Sequence, residues 1–300
     1  MVEKFLEYLK YELNRSDLTI SAYSNDLNKF KDWLCGDNVE NIDFTSVSSS
    51  DIRAWLAYMA GKGETSRTLR RKTITLRSFF KWMQKTGVIE ISPLRDVPLP
   101  KLPKPLPDIV KAEEIEEALN PEVAKFVYGE IIDALVIEML YSLGIRRAEL
   151  VSLNDEDISF FKGEVKVTGK RSKQRIIPVP EALLDKIKKW QEYRDENLGS
   201  IKESHKSPLF IIKGRRITPS QVYRIVNKAL LTSTAKKKSP HALRHSFASD
   251  MLNGGAEIDT VREFLGHASL STTQIYTHIS FNEIKKAYSS AHPRSLNSKK

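Results

Sequence analysis

Apolar residues recur through the first ninety positions at spacings of three and four, the repeat that lays one stripe along a helix. Phe5, Leu6, Leu9 and Leu13 form one such set, and Tyr23, Leu27, Phe30 and Leu34 a second. A serine run then ends in Ser50-Asp51, suited to cap a third helix whose inner face is Ile52, Trp55, Leu56 and Met59. A fourth helix is predicted from about Thr65 to Lys85, with Leu69, Leu76, Phe79, Phe80 and Met83 turned inward.

The helical repeat stops at a cluster of prolines. Six of the chain's 13 fall within Pro93–Pro107, one at every second or third position over much of the run. That spacing forbids a helix and favours extended chain. Residues 1–92 are therefore expected as a helical domain, 93–108 as a proline-rich linker and 109–300 as a second domain.

The second domain also reads as mostly helical, with helices at about 111–119, 126–142 and 180–197. Between the last two, the pattern switches to alternation. Glu164–Thr168 and Gln174–Val179 flank Gly169-Lys170-Arg171-Ser172-Lys173, which reads as a hairpin tip. Thr218-Pro219 and Ser239-Pro240 each pair an N-cap with proline at the first helical position, and Gly254-Gly255 closes the helix that Ser239 opens. Shorter helices fit Ile258–Leu265, Ser271–Thr277 and Phe281–Ser290, followed by a polar tail at Ser295–Lys300. The fold class is mainly α with a small antiparallel β-hairpin.

Length and charge narrow the function. Three hundred residues suit two domains with separate cores. The most apolar stretch, Ile131–Ile145, is broken by Asp133 and Glu138, well short of a membrane span. Acids and bases alternate through the first nine residues, where a secretory signal would be apolar, so neither secretion nor membrane insertion is expected. A single cysteine, Cys35, fits a reducing cytoplasm and cannot form a cysteine-based zinc site. The net charge of +10 and a pI near 9.4 favour a phosphate-rich partner. Within the fourth helix and its approach, Lys62, Arg67, Arg70, Arg71, Lys72, Arg77, Lys81 and Lys85 stand against one acid, Glu64. Such an imbalance predicts a DNA-facing surface, and Lys170, Arg171 and Lys173 at the hairpin tip are suited to a DNA groove.

Several residues can carry chemistry. His241 and Arg244 share one face near a helix N-terminus, where an anion is favoured and a histidine can move a proton. His241 and His245 also have a metal-like spacing, but Ala242 stands where a zinc protease needs glutamate. Arg146 lies three residues before Glu149, which can orient its guanidinium; alone this is an ordinary ion pair. His267 follows a glycine helix stop, and Tyr276 comes nine residues later, with nothing in composition to distinguish it among ten tyrosines.

In order, these segments resemble the tyrosine recombinase (phage integrase) family, and among it the short Xer-like members. Gly144-Ile145-Arg146-Arg147-Ala148-Glu149-Leu150 is similar to the first arginine box, Gly169-Lys170 to the hairpin lysine and His241-Ala242-Leu243-Arg244 to the His-x-x-Arg box. Leu265-Gly266-His267 and Tyr276 match the Leu-Gly-His segment and the nucleophile after it. Arg147-Ala148 departs from the aliphatic residue and serine common in relatives.

The resemblance implies an all-helical N-terminal core-binding (SAM-like) domain and a recombinase catalytic domain. It implies catalytic roles for Arg146, Lys170, His241, Arg244, His267 and Tyr276, and an orienting one for Glu149. Tyr276 would attack a DNA phosphate to give a 3′-phosphotyrosine, Arg146, Arg244 and His267 would bind the phosphate oxygens, His241 would take the tyrosine's proton and Lys170 would protonate the leaving 5′-oxygen. No metal, nucleotide or other cofactor is implied. The partners implied are a double-stranded recombination site, further copies or a paralogue in a synaptic tetramer linked through the C-terminal helix (Ile284, Ala287 and Tyr288), and a septal DNA translocase. Packing of that helix on its own domain is the alternative. Chromosome dimer resolution at cell division is the expected role. Mobile-element integration, a type IB topoisomerase-like activity and a non-cleaving DNA-binding module compete with it. The start at Met1, with no further domain ahead of it, is expected to exclude integrases that bind arm sites.

Overall fold

The structure, a computed structural model, describes residues 1–36, 42–102, 109–119, 131–169, 173–197, 207–266 and 281–296. Two units, Met1–Pro105 and Leu106–Lys300, are built around separate cores.

In the first unit, α1 (Val2–Glu7) runs into a π-helical turn, Tyr8–Glu12, and is followed by α2 (Asp17–Cys35), α3 (Ser49–Gly61) and α4 (Ser66–Lys85). Aromatic side chains fill the centre, with the Phe5 and Phe79 rings edge to face at 5.4 Å and Phe30 against Trp55 at 4.9 Å. The first predicted stripe fails at its end, because Leu13 is exposed. Its amide bonds back five residues to the Tyr8 carbonyl, and this wider turn takes Leu13 off the inner face. The third helix also begins earlier than expected. Its cap is Ser48, which exchanges side-chain and main-chain hydrogen bonds with Asp51 in a capping box.

The start of the expected linker is part of this first unit. Leu94 and Val97 are buried in its core, while Arg77 donates to the Val97 carbonyl at 2.6 Å and Arg70 to that of Pro100 at 3.1 Å. The prolines do keep this segment from becoming a helix. The two apolar side chains between them nevertheless anchor it, and arginines satisfy carbonyls that have no ladder to join.

The second unit is organised around a hydrophobic helix. Preceded by α5 (Ala112–Leu119), α6 (Ile131–Ser142) buries nine of its 12 residues, as a helix packed on nearly all sides must. Its neighbours include α8 (Glu181–Asn197), α9 (Pro219–Ala229) and α10 (Pro240–Asn253). Thr218 and Ser239 cap α9 and α10 as predicted. The short α7 (Arg147–Ser152) leads to a three-stranded antiparallel sheet of β1 (Ile158–Ser159), β2 (Glu164–Thr168) and β3 (Gln174–Pro178). Val167 pairs with Arg175 and Thr168 with Gln174. A second hairpin, β4 (Ile211–Ile212) and β5 (Arg215–Arg216), turns through Lys213 and Gly214, both at positive φ.

The last described elements are α11 (Ile258–Leu265), α12 (Phe281–Ala291) and α13 (Pro293–Leu296). On α12, Ile284, Tyr288 and Ala291 are buried in their own unit's core, and Tyr288 stacks on Phe264 at 5.7 Å and on His292 at 5.0 Å. Ser295, expected in a polar tail, instead lies in α13 and donates to the His292 carbonyl at 2.8 Å. The predicted helix at 271–277 and residues 126–130 lie outside the described residues.

Candidate active site

The site grows from the turn between α6 and α7. Gly144 makes that turn at φ +55°, and a Cβ there would come within 2.5–2.9 Å of the Phe247 ring, so both conformation and space require glycine. The turn brings Arg146 to the start of α7. Its main-chain N–H donates to Glu149 Oε2 at 2.7 Å and its Nη1 to Oε1 at 2.8 Å, while Nη2 reaches the Gly266 carbonyl at 3.3 Å. Glu149 is buried, whereas the Arg146 side chain remains 38% exposed and can meet a ligand.

Arg244 approaches from the first turns of α10. It is buried, and its guanidinium donates to the carbonyls of Gly144 and Leu265, the latter at 2.6 Å. Burial, with Arg146 nearby, lowers its pKa to about 10, so it remains cationic at neutral pH. Main-chain carbonyls orient this cation without neutralising it. Arg146 and Arg244 thus both reach the last residues of α11, giving two fixed positive charges suited to one anion.

His241 lies one turn before Arg244 and is exposed, with the His245 ring 4.7 Å from its own. Partial burial, then the charges of His245, Arg244 and Arg146, lower its pKa, so neutral imidazole prevails near pH 7. Burial would raise the Glu149 pKa. Hydrogen bonds from Arg175, with those from Arg146, outweigh that and hold it at about 2.

Arg175, on β3, belongs to no motif in the sequence. It grips Glu149 with Nη1 on Oε1 and Nη2 on Oε2, both at 2.9 Å, and donates through Nε to the Phe264 carbonyl at 2.9 Å. Of the predicted catalytic residues, Arg146, His241 and Arg244 are therefore placed together with Glu149. Lys170, His267 and Tyr276 lie outside the described residues, as does Arg171, and Lys173 is exposed just before β3.

The basic helix of the first unit requires a correction. Lys72 is 1% exposed, lies 3.4 Å from Glu64 and 3.7 Å from Asp26, and sits over the Trp55 ring. It belongs to the core and cannot contact a phosphate there. Asp26, on α2, also pairs with Arg71, while Arg70 and Arg77 are tied to carbonyls of the proline segment. Lys62 and Arg67 are exposed, Lys62 resting over Tyr58.

Comparison with known proteins gives two successive matches. The family described as "Phage integrase, N-terminal SAM-like domain" matches residues 2–87, and "Phage integrase family" matches residues 110–283. The chain is 35% identical to tyrosine recombinase XerC of Chlorobaculum tepidum, over 97% of this chain and 94% of that one. It is 32% identical to tyrosine recombinase XerD of Staphylococcus epidermidis, over 98% and 99%. A solved structure of the XerH site-specific recombinase bound to its difH substrate superposes with a TM-score of 0.68 at 24% identity, covering 96% of this chain and 83% of that one.

Proposed function

The chain belongs to the phage integrase family of tyrosine recombinases, and from that premise we propose that it breaks and rejoins DNA at a specific site through Tyr276. The observation that carries this reading is the convergence of Arg146 and Arg244 on the end of α11, with His241 beside them. Two oriented guanidiniums can bind the non-bridging oxygens of one phosphodiester and stabilise the charge that develops there. His267 adds a hydrogen bond.

The Tyr276 oxygen bonds to phosphorus as the P–O5′ bond breaks, leaving a 3′-phosphotyrosine and a 5′-hydroxyl. His241, largely neutral near pH 7, accepts the phenol proton, and Lys170 supplies a proton to the 5′-oxygen. Glu149 orients Arg146. The phosphotyrosine conserves the energy of the phosphodiester, so rejoining requires neither ATP nor a metal ion.

Lys62 and Arg67 on the first unit, with Arg171 and Lys173 on the hairpin, meet backbone phosphates of the duplex. Arg70, Arg71 and Arg77 add charge to that surface from their tethered positions. Four protomers, of this chain alone or with a paralogue, exchange strands through a Holliday junction, with α12 of each passing to a neighbour. That exchange requires α12 to leave the packing it makes on its own domain. The role that fits relatives named XerC and XerD is resolution of chromosome dimers at the nucleoid, triggered by a septal DNA translocase; mobile-element integration is the alternative role. Cys35 as the lone thiol supports a cytoplasmic location.

The test is to incubate the chain with nicked fragments of host DNA, denature in detergent and isolate DNA that remains attached. Attachment lost in Tyr276→Phe, while binding survives, supports cleavage, and sequencing the fragments identifies the site. Tight salt-sensitive binding without attachment overturns cleavage in favour of a non-cutting DNA-binding module.

A further inference from the structure

We propose that Arg175 is a positioning residue for strand cleavage, acting through Glu149 to hold Arg146 in register with the end of α11; this rests on the recombinase reading above. Each Glu149 oxygen accepts two hydrogen bonds. Oε1 receives Arg146 Nη1 at 2.8 Å and Arg175 Nη1 at 2.9 Å, while Oε2 receives the Arg146 main-chain N–H at 2.7 Å and Arg175 Nη2 at 2.9 Å. The carboxylate cannot rotate without disturbing all four.

Three parts of the site meet at this pair. Arg146 stands at the start of α7. Gly169, next to Lys170, lies so close that a Cβ there would be 3.4 Å from Glu149 Oε1. Gly266, immediately before His267, takes a left-handed conformation at φ +62°, and a Cβ on it would come 3.2–3.4 Å from Cδ, Nη1 and Nε of Arg175. Arg175 Nε also bonds the Phe264 carbonyl in the last turn of α11. One side chain on β3 therefore ties the strand that follows the lysine-bearing tip to the arginine box and to the segment leading into the histidine.

The chemistry requires arginine. A planar fork can engage both carboxylate oxygens while its Nε serves a third acceptor, whereas an ammonium has one centre of charge and cannot span them. Arg175 spends these donors on protein acceptors and its side chain is only 15% exposed. Its contribution is thus to geometry at the phosphate, and a displacement near 1 Å there can cost about 100-fold in rate.

The test uses the full chain and the nicked DNA fragment recovered above. Binding is measured by anisotropy, and the single-turnover rate of covalent attachment at saturating protein, for the wild type, Arg175→Ala, Arg175→Lys, Glu149→Gln and the Arg175→Ala/Glu149→Gln double variant. Arg175→Ala should bind within about threefold of wild type and attach about 100-fold more slowly. Arg175→Lys should restore less than a tenth of the lost rate, and the double variant should be no slower than its slower single parent. Wild-type rates in Arg175→Ala, a loss confined to binding, or multiplicative losses in the double variant would each overturn the proposal. If circular dichroism shows Arg175→Ala unfolded, Arg175→Lys carries the test, and attachment at the wild-type rate overturns it. A wild-type chain that attaches no DNA overturns the recombinase reading itself, and this inference with it.

Discussion

Arg146 gives both its main-chain N–H and its guanidinium to the same carboxylate, that of Glu149, three residues later. The pair fixes the start of α7 and the aim of the cation together. Glu149→Gln keeps the shape and removes the charge, so it should slow covalent attachment more than it weakens DNA binding. It should also lower stability, because the two arginines that share the carboxylate lose their counter-charge. Glu149 titrates near 2 in the fold against 4.5 as its ordinary value. Its stabilisation is therefore present above pH 4.5 and lost as pH falls towards 2, and amounts to roughly 3 kcal/mol at neutral pH. Urea unfolding of both proteins at pH 7 and pH 3 checks this: the gap between their stabilities should shrink by about half or more at the lower pH.

Arg244→Ala should reduce the rate of attachment by about 10²- to 10³-fold, the scale for loss of one preorganised donor to a developing oxyanion. DNA affinity should change little in comparison, since the other cationic contacts remain. Single-turnover rates at saturating protein separate the two effects.

Lys170→Ala should slow cleavage of an ordinary phosphodiester and be largely rescued by a 5′-thiolate leaving group, which needs no proton. Comparing the two substrates in both proteins is sufficient. Failure of the rescue would remove Lys170 from the role of acid.

The two kinds of base in the first unit should behave differently. Lys72→Met should destabilise this unit by roughly 3 kcal/mol, because it removes one member of a buried charge cluster. It should leave the salt dependence of DNA binding by the remaining folded protein unchanged. Arg67→Ala should leave stability intact and reduce the slope of log K against log salt by about 1. Thermal melts and binding titrations at several salt concentrations test both.

His292 on the C-terminal segment predicts acid sensitivity. It is fully buried, its Nδ1 accepts the Arg294 N–H at 3.2 Å, and burial, reinforced by Arg294, lowers its pKa from 6.5 to about 3. A proton therefore binds the unfolded chain first. Stability is complete above pH 6.5 and falls as pH drops from there towards 3, by on the order of 4 kcal/mol across the whole window. His292→Gln should flatten the dependence of the melting temperature on pH between 6.5 and 4. An unchanged slope would mean that other groups control it.

What was legible in the sequence was local. The caps Thr218 and Ser239 and the hairpin pairing of residues 164–168 with 174–178 depend on neighbours a few positions away. The misses came from partners distant in the chain. Lys72 reads as one more base on a basic helix until Asp26 arrives from α2. Arg175 belongs to no motif, and only the fold brings Glu149 against it. Leu94 and Val97 look like linker residues between prolines, and only the core shows that they are anchors. In the site, the arginine boxes and the glycine stop after Leu265 were visible as motifs, whereas the carbonyls of Gly144, Leu265 and Gly266 that Arg146 and Arg244 reach lie 21 to 120 positions away and no spacing reveals them.

The acceptors that hold Arg244, the oxygens of Gly144 and Leu265, belong to the main chain. Replacing Leu265, which is buried in the core, by another apolar side chain would not delete its acceptor, so that position can change among core residues while the guanidinium keeps its place. An insertion or deletion in either segment would shift the oxygen itself. Tolerance here should follow the length and path of the backbone, and a comparison scored only by matching letters would underrate how strongly the end of α11 is constrained.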